Sequence, residues 1–345
     1  MTSTIPAVGP LPAPETFRPE KVTLDGISVE QLQHHLTLLK WFKELESGDV
    51  AADKRFLLLA EQRYEAWARI LQSLADRPND VPVPPIDIAY MWHSHMLSPH
   101  RYYEDNYYLQ RRDTVMNIAF PLRQLHDTYM SGKKPSDTTI RQWEKVTHLP
   151  YKLDIADHPD YKSNCKWCDK AMRLDWPTII DLRTAKVPKS RVTCDGCQAE
   201  WNRDTVSGHL FWTDVKRYLD DPAQSLVRGA ILSPGMGFTD PSAADQDHVI
   251  LFDGLSSEDI QTRLVDWKAC QWKNIIADLK EVKTRAISRR RWRAIHPQTV
   301  DKMGGAYREL TAPFSLDLCL AVQRQRKFTD TMANIQWDTP TSLGM

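Results

Sequence analysis

The sequence predicts a mainly α fold with a small four-cysteine module inserted between two helical regions. Apolar residues recur at helical spacing over long stretches before residue 150 and again after residue 206. Two Cys-x-x-Cys pairs, beginning at Cys165 and Cys194, lie between these stretches. The sequence has no Gly-rich phosphate loop, nucleophile elbow or dinucleotide-binding fingerprint, so the common enzyme classes that use these motifs are unsupported.

The composition is that of a globular chain with no overall charge. Hydrophobic residues make up 41% of the 345 residues, and Lys plus Arg equals Asp plus Glu at 45 each. A chain with this balance has no overall positive potential that would attract nucleic acid or an anionic membrane. Neither a secretory leader nor a run of eighteen apolar residues is present. We therefore expect no membrane association and a cytoplasmic protein, with the nucleus as the alternative compartment.

The chain divides into four predicted segments. Five prolines within residues 1–27 predict a flexible N-terminal tail. Residues 28–150 read as a helical domain, residues 151–205 as the cysteine module, and residues 206–345 as a C-terminal helical region.

Helix-capping patterns place several helix ends. Ser28 followed by Gln31 forms a capping box, which predicts a helix start. Pro85 in a first turn predicts a buried helix from about Ile86 to Met96. A long helix is predicted from about Ser257 to Ile295, and a last helix with Ser315 as its N-cap.

The four paired cysteines are predicted ligands of one metal ion: Cys165, Cys168, Cys194 and Cys197. Zinc prefers a tetrahedral set of thiolates, and a Cys-x-x-Cys turn supplies two of them. The pattern therefore predicts a zinc-ribbon-like module with structural zinc held by four cysteines. An iron–sulfur cluster, a pair of redox motifs and chance spacing are the alternatives. A closed four-thiolate site has no open position, so catalysis is not expected there.

A second group of candidate residues is concentrated in twenty residues around a Trp-His-x-His core. His93 and His95 point in nearly opposite directions on a continuous helix and could not bind one metal together. If the helix broke at His95, this residue could converge with His100 and Asp105. One interpretation is two buried, hydrogen-bonded histidines. The other is a ligand or second metal site with catalytic candidates His93, His95, Asp87, His100 and Asp105.

This segment, PPIDIAYMWHSHMLSPHRYYED, resembles the signature of the glycine-rich domain-containing protein-like family. The resemblance continues through the cysteine pairs, Arg228–Leu232, Phe314–Leu318 and the Ala321–Gln325 stretch. Plant relatives are described as stress-related and RNA-binding, a role that depends on the glycine-rich tail. This chain is similar to a short form without that tail, since only 13 of its residues are glycine.

Three functions stay open at this point. The first is an enzyme or accessory protein acting on a small-molecule substrate beside His93 and His95, for example in a specialised biosynthetic pathway. The second is a scaffold for a protein partner. The third is an RNA- or DNA-binding protein that uses the cysteine module and the Arg289–Arg293 run. That run is also explained as a solvated helix end or as a nuclear-import signal.

Overall fold

The chain is mainly helical, as predicted. The computed structural model describes residues 26–46, 49–110, 118–185, 187–229, 251–252, 254–275, 277–279, 281, 299–308 and 314–333. The first helices are α1 (Val29–Glu44), α2 (Val50–Ser73), α3 (Ile86–Met96), α4 (Pro99–Gln110), α5 (Leu122–Met130) and α6 (Asp137–Thr147). The later helices are α7 (Trp176–Thr184), α8 (Arg203–Asp220), α9 (Ser257–Val265), α10 (Thr299–Arg308) and α11 (Leu318–Ala333).

Two short antiparallel strand pairs lie around the cysteines. Strand β1 (Tyr161–Asn164) pairs with β2 (Ala171–Leu174), and β3 (Val192–Thr193) pairs with β4 (Glu200–Trp201). Helix α7 connects the two pairs. Each strand pair holds one Cys-x-x-Cys turn at its tip.

The predicted capping box at the start of α1 is present. Ser28 Oγ accepts from the Gln31 N–H at 3.1 Å, and the Gln31 side chain accepts from the Ser28 N–H at 2.8 Å. Helix α3 runs over the predicted residues, from Ile86 to Met96. Local chemistry therefore fixes both of these helix starts.

The first core forms around α2, which packs against α3, α6, α7 and α11. Its centre holds three fully buried indoles, with Trp67 packed at 5.0 Å from Trp143 and 6.3 Å from Trp92 between ring centroids. Large aromatics bury much apolar area each. Helix α11 comes from the predicted C-terminal region, so this core joins residues from both ends of the described chain.

Helix α8 connects the first core to a second one. Val206 belongs to the first core, whereas Phe211, Trp212 and Val215 belong to the second, together with residues of α9 and α10. Close packing of α8 depends on Gly208, because an added Cβ there would lie 1.7 Å from the Cys270 carbonyl oxygen. No larger residue fits this contact without movement of the backbone.

Two predicted helices are corrected by the structure. The predicted helix from Ser257 is interrupted after Val265, because the Asp266 carboxylate accepts from the Lys268 N–H and the chain turns through residues 267–270 before helix resumes at residues 272–275. The predicted end at Ile295 lies outside the described residues. The last helix is capped by Asp317, whose Oδ1 accepts from the Leu320 N–H at 2.9 Å.

Some predictions fall outside the described residues. These include most of the N-terminal tail and the whole Arg289–Arg293 run. In the part of the chain that the structure describes, no helix combines the length and the apolar character needed to cross a bilayer.

Candidate functional site

The four paired cysteines converge, so they could together hold a metal ion. Their sulfurs all lie within 4.8 Å of one another. The Sγ atoms of Cys165 and Cys197 are 3.6 Å apart, as are those of Cys168 and Cys194. Metal–sulfur bonds of about 2.3 Å would put the sulfurs of a tetrahedral site about 3.8 Å apart. The side chains therefore fit one tetrahedral thiolate-bound ion.

The two cysteine turns have matching backbone geometry. In each, the first cysteine accepts from the N–H four residues later, at Asp169 and Gln198, and both of these residues have positive φ. Gly196 leaves room at the centre, since an added Cβ would lie 3.3 Å from the Cys168 sulfur. The module is thus two equivalent turns that face each other across one site.

Backbone amides are directed at the sulfurs. The N–H groups of Cys197 and Gly196 point at Cys194 and lower the pKa of its thiol to about 7. Burial raises the pKa of the Cys165 thiol to about 12. Amide donors of this kind favour the thiolate form that binds metals.

His95 lies in a buried chain of hydrogen bonds. Its Nδ1 is 3.0 Å from the Tyr64 hydroxyl and its Nε2 is 3.0 Å from Asp105 Oδ2. Asp105 also accepts from the Ser315 N–H at 2.8 and 2.9 Å. Both ring nitrogens of His95 are therefore engaged inside the protein.

His93 points to another part of the core, as the helical geometry requires. Its Nε2 lies 3.0 Å from Nε2 of His35 on α1, so one ring donates to the other. Its Nδ1 is buried and has no hydrogen-bond partner among the described residues. Burial, together with the nearby His35, lowers the pKa of His93 to about 4.

Two other candidates of this segment, Asp87 and His100, form no hydrogen bond with the two histidines. Asp87 is buried against Arg63, with 2.7 Å between Oδ2 and Nε, and burial raises the pKa of its carboxyl despite this partner. His100 is exposed on the first turn of α4. Helix α3 does not break at His95, and His95 meets Asp105 because α4 folds back after residues 97–98.

Segments from far along the sequence form hydrogen bonds with helices α3 and α4. Glu104 accepts from the Gly229 N–H, and Asp105 accepts from the Ser315 N–H. The Ser94 hydroxyl lies 3.3 Å from Gln325 Oε1. Three of the segments that carried the sequence resemblance, around Gly229, Ser315 and Gln325, therefore bond directly to the Trp-His-x-His segment and its tail.

Residues 37–105 match the model of the glycine-rich domain-containing protein-like family. The matched range contains the Trp-His-x-His segment and its acidic tail, so the resemblance is confirmed there. No curated protein and no solved structure matches the chain.

A buried charged cluster beside this family segment was not found from the sequence. Glu61 and Asp317 face Arg183, whose Nη2 lies 2.5 Å from Glu61 Oε2 and 4.0 Å from Asp317 Oδ2. Cys319, which the sequence suggested was a core residue, lies with them. The residues come from α2, α7 and the start of α11, and no local spacing could have linked them.

A cavity of about 440 Å³ lies next to the cysteine module. Asp181 holds one edge of it, because its Oδ2 accepts from the N–H groups of Lys189 and Ser190. Its walls come from α7, the connection to β3, β4, the start of α8 and Trp272: Leu182, Pro188, Ser190, Arg191, Glu200, Asn202, Arg203, Asp204, Ser207 and Trp272.

The lowered pKa of His93 predicts a loss of stability in acid. The unfolded side chain titrates near 6.5 and the folded one at about 4, so the unfolded state binds more protons between these values. The contribution is complete above pH 6.5 and is lost as pH falls to 4, by at most about 3 kcal/mol. Urea unfolding of the parent from pH 7 to 4 should show this fall.

The variant His93→Gln should show a shallower fall of unfolding free energy with pH, because one titrating group is removed. His100→Gln is the matched control, since His100 is exposed, and should keep the parental slope. If the free energy of unfolding fell equally steeply with pH in the parent and in His93→Gln, the lowered pKa of His93 would be contradicted.

Proposed function

We propose that this protein is a zinc-containing protein that binds and acts on a polar small molecule in the cleft beside its cysteine module. The cleft volume of about 440 Å³ is the observation that carries the proposal. Small-molecule sites usually have volumes of roughly 300–1,000 Å³. The compartment we propose is the cytoplasm, as the sequence predicts.

Zinc is the proposed metal because four thiolates in tetrahedral spacing form the ligand set that structural zinc prefers. Its role would be to hold the two cysteine turns, and with them β3 and β4. Glu200, which lines the cleft, lies on β4, and Asn202 caps the helix that follows. The metal would therefore shape the cleft without taking part in the chemistry.

The cleft walls favour a ligand with a carboxylate or phosphate group. Arg191 is exposed and supplies a guanidinium group, which binds such anions through paired hydrogen bonds. Arg203 is a second arginine of the wall, and its Nη2 donates to the Arg183 carbonyl. Trp272 supplies a flat apolar surface for the rest of the ligand. Glu200 and Asp204 would restrict binding to molecules that also carry donors.

The small-molecule hypothesis drawn from the sequence placed its pocket beside His93 and His95. We keep the class of ligand and move the site, because both ring nitrogens of His95 are engaged by Tyr64 and Asp105. In addition, neither His93 nor His95 is among the residues that line the cleft.

The scaffold hypothesis would gain support from exposed tryptophans on a flat face. In the described ranges every tryptophan is buried or half-buried. The exposed tryptophans that would favour a protein partner are therefore missing from that part of the chain. The arginine run on which the nucleic-acid hypothesis depends lies outside the described residues.

A binding experiment tests the cleft. Saturation-transfer NMR with a panel of carboxylate and phosphate metabolites should identify at least one that binds the parent protein. Arg191→Glu reverses a charge in the cleft wall and should weaken that binding by about tenfold or more, since charge-assisted hydrogen bonds are lost.

The matched control is Arg77→Glu, which reverses an exposed arginine far along the chain from the cleft residues. It should bind like the parent. Equal binding by the parent and Arg191→Glu, or no binding by any member of the panel, would refute the proposed site.

A further inference from the structure

The cluster of Glu61, Arg183, Asp317 and Cys319 lies where three helices meet. All four residues are at most 4% exposed. Glu61 comes from the middle of α2, Arg183 from the last turn of α7, and the other two from the first turn of α11 and its cap. Buried charges of this kind require partners for every ionised group.

Acidic groups outnumber basic ones within the cluster. Arg183 pairs with Glu61 at 2.5 Å and approaches Asp317 at 4.0 Å, so two carboxylates face one guanidinium. Asp317 Oδ1 also accepts from the Leu320 N–H at 2.9 Å. Glu61 Oε1 is buried without a hydrogen-bond partner in the described structure. The arrangement therefore has one guanidinium shared by two carboxylates and one acceptor oxygen of Glu61 unsatisfied in the core.

The geometry would allow a metal ion to bind. Glu61, Asp317 and Cys319 each offer one ligand atom, and these atoms all lie within 4.8 Å of one another. A divalent ion with two carboxylates, one thiolate and the adjacent guanidinium gives a net charge of zero. Mixed oxygen and sulfur ligands suit zinc and its cobalt substitute.

A cavity borders the cluster on the side of Glu61 and Arg183. Glu61 and Arg183 line a cavity of about 160 Å³ together with Tyr161 and Ser163. This space is large enough for the water that would complete a four-coordinate ion.

We propose that Glu61, Asp317 and Cys319 form a second metal site, for a divalent ion of the zinc class. The site is separate from the four paired cysteines and does not depend on the cleft binding a small molecule. Arg183 is a positioning residue that holds the Glu61 carboxylate. The metal completes the charge balance at the junction of α2, α7 and α11.

Metal analysis of the full chain tests the proposal. The parent, saturated with zinc and then desalted, should hold about two ions per chain, and Glu61→Gln and Cys319→Ala should each hold about one. Cys270→Ala removes a buried thiol from the second core and should keep the parental content. With cobalt, the sulfur-to-metal absorption of the second equivalent should disappear in Cys319→Ala.

Glu61→Gln and Cys319→Ala change the cluster differently, so the test still works if one of the two proteins does not fold. Glu61→Gln keeps the size of the side chain and can still accept from Arg183, which makes it the deciding variant if Cys319→Ala is insoluble. One ion per zinc-saturated parent chain would overturn the proposal. Two ions in folded Glu61→Gln with the parental cobalt spectrum would overturn it as well, and the cluster would then be a structural ion pair.

Discussion

Replacing Cys194 and Cys197 together by alanine is expected to remove one metal ion per chain and to leave most of the protein insoluble. The variant deletes half of the ligand set that the four converging sulfurs form. Zinc binding to such sites is worth about 10–16 kcal/mol, comparable with the whole free energy of unfolding of many domains. Metal content and the soluble fraction after expression are the measurements.

The loss of folded structure should extend beyond the cysteine module. Cys165 and Cys194 are part of the first core, together with Met172, Leu174 and Trp201. Cys270→Ala is the control, because Cys270 is a buried thiol outside the cluster. A double variant with full metal content and a parental thermal unfolding curve would refute a metal role for the four cysteines.

Replacing His95 by alanine is expected to lower the free energy of unfolding by about 3–5 kcal/mol. The change opens a cavity among Tyr64, Tyr102 and Phe314, whose rings pack around the imidazole. It also leaves the Tyr64 hydroxyl and one contact of the Asp105 carboxylate without a partner. Urea denaturation monitored by tryptophan fluorescence measures the effect.

His100→Ala is the matched control from the same segment and should be nearly neutral, since His100 is exposed. A His95→Ala protein with parental stability but without ligand binding would instead make His95 part of a functional site. That result would return the small-molecule pocket to the position that the sequence suggested.

Short-range chemistry made part of the structure predictable. The capping box at Ser28 and the proline before Ile86 set helix starts through contacts within four residues. The two Cys-x-x-Cys pairs predicted one cluster, because each turn needs only its own backbone to present two sulfurs. The family segment was recognisable for the same reason, since its Trp-His-x-His core is continuous in sequence.

The failed helix predictions lie where the chain also makes contacts between distant segments. Helix α9 stops at Val265 because of an Asp266 turn that brings Cys270 against Gly208 of α8, a contact between segments far apart in sequence. Ser315 was predicted as a helix cap, but its hydroxyl has no hydrogen-bond partner among the described residues, and Asp317 caps the helix instead. The Ser315 N–H donates to Asp105, so this residue is tied to the histidine segment rather than to its own helix.

The sequence by itself determined the helical class, the cysteine cluster and the family segment, because each depends on spacing along one stretch of chain. Only the tertiary structure decided what the buried polar residues do. His95 meets Tyr64 and Asp105, and Arg183 meets Glu61 over 122 positions of sequence. A buried charge or imidazole must find a partner wherever the packed helices offer one, and the spacing of residues along the chain does not encode that partner.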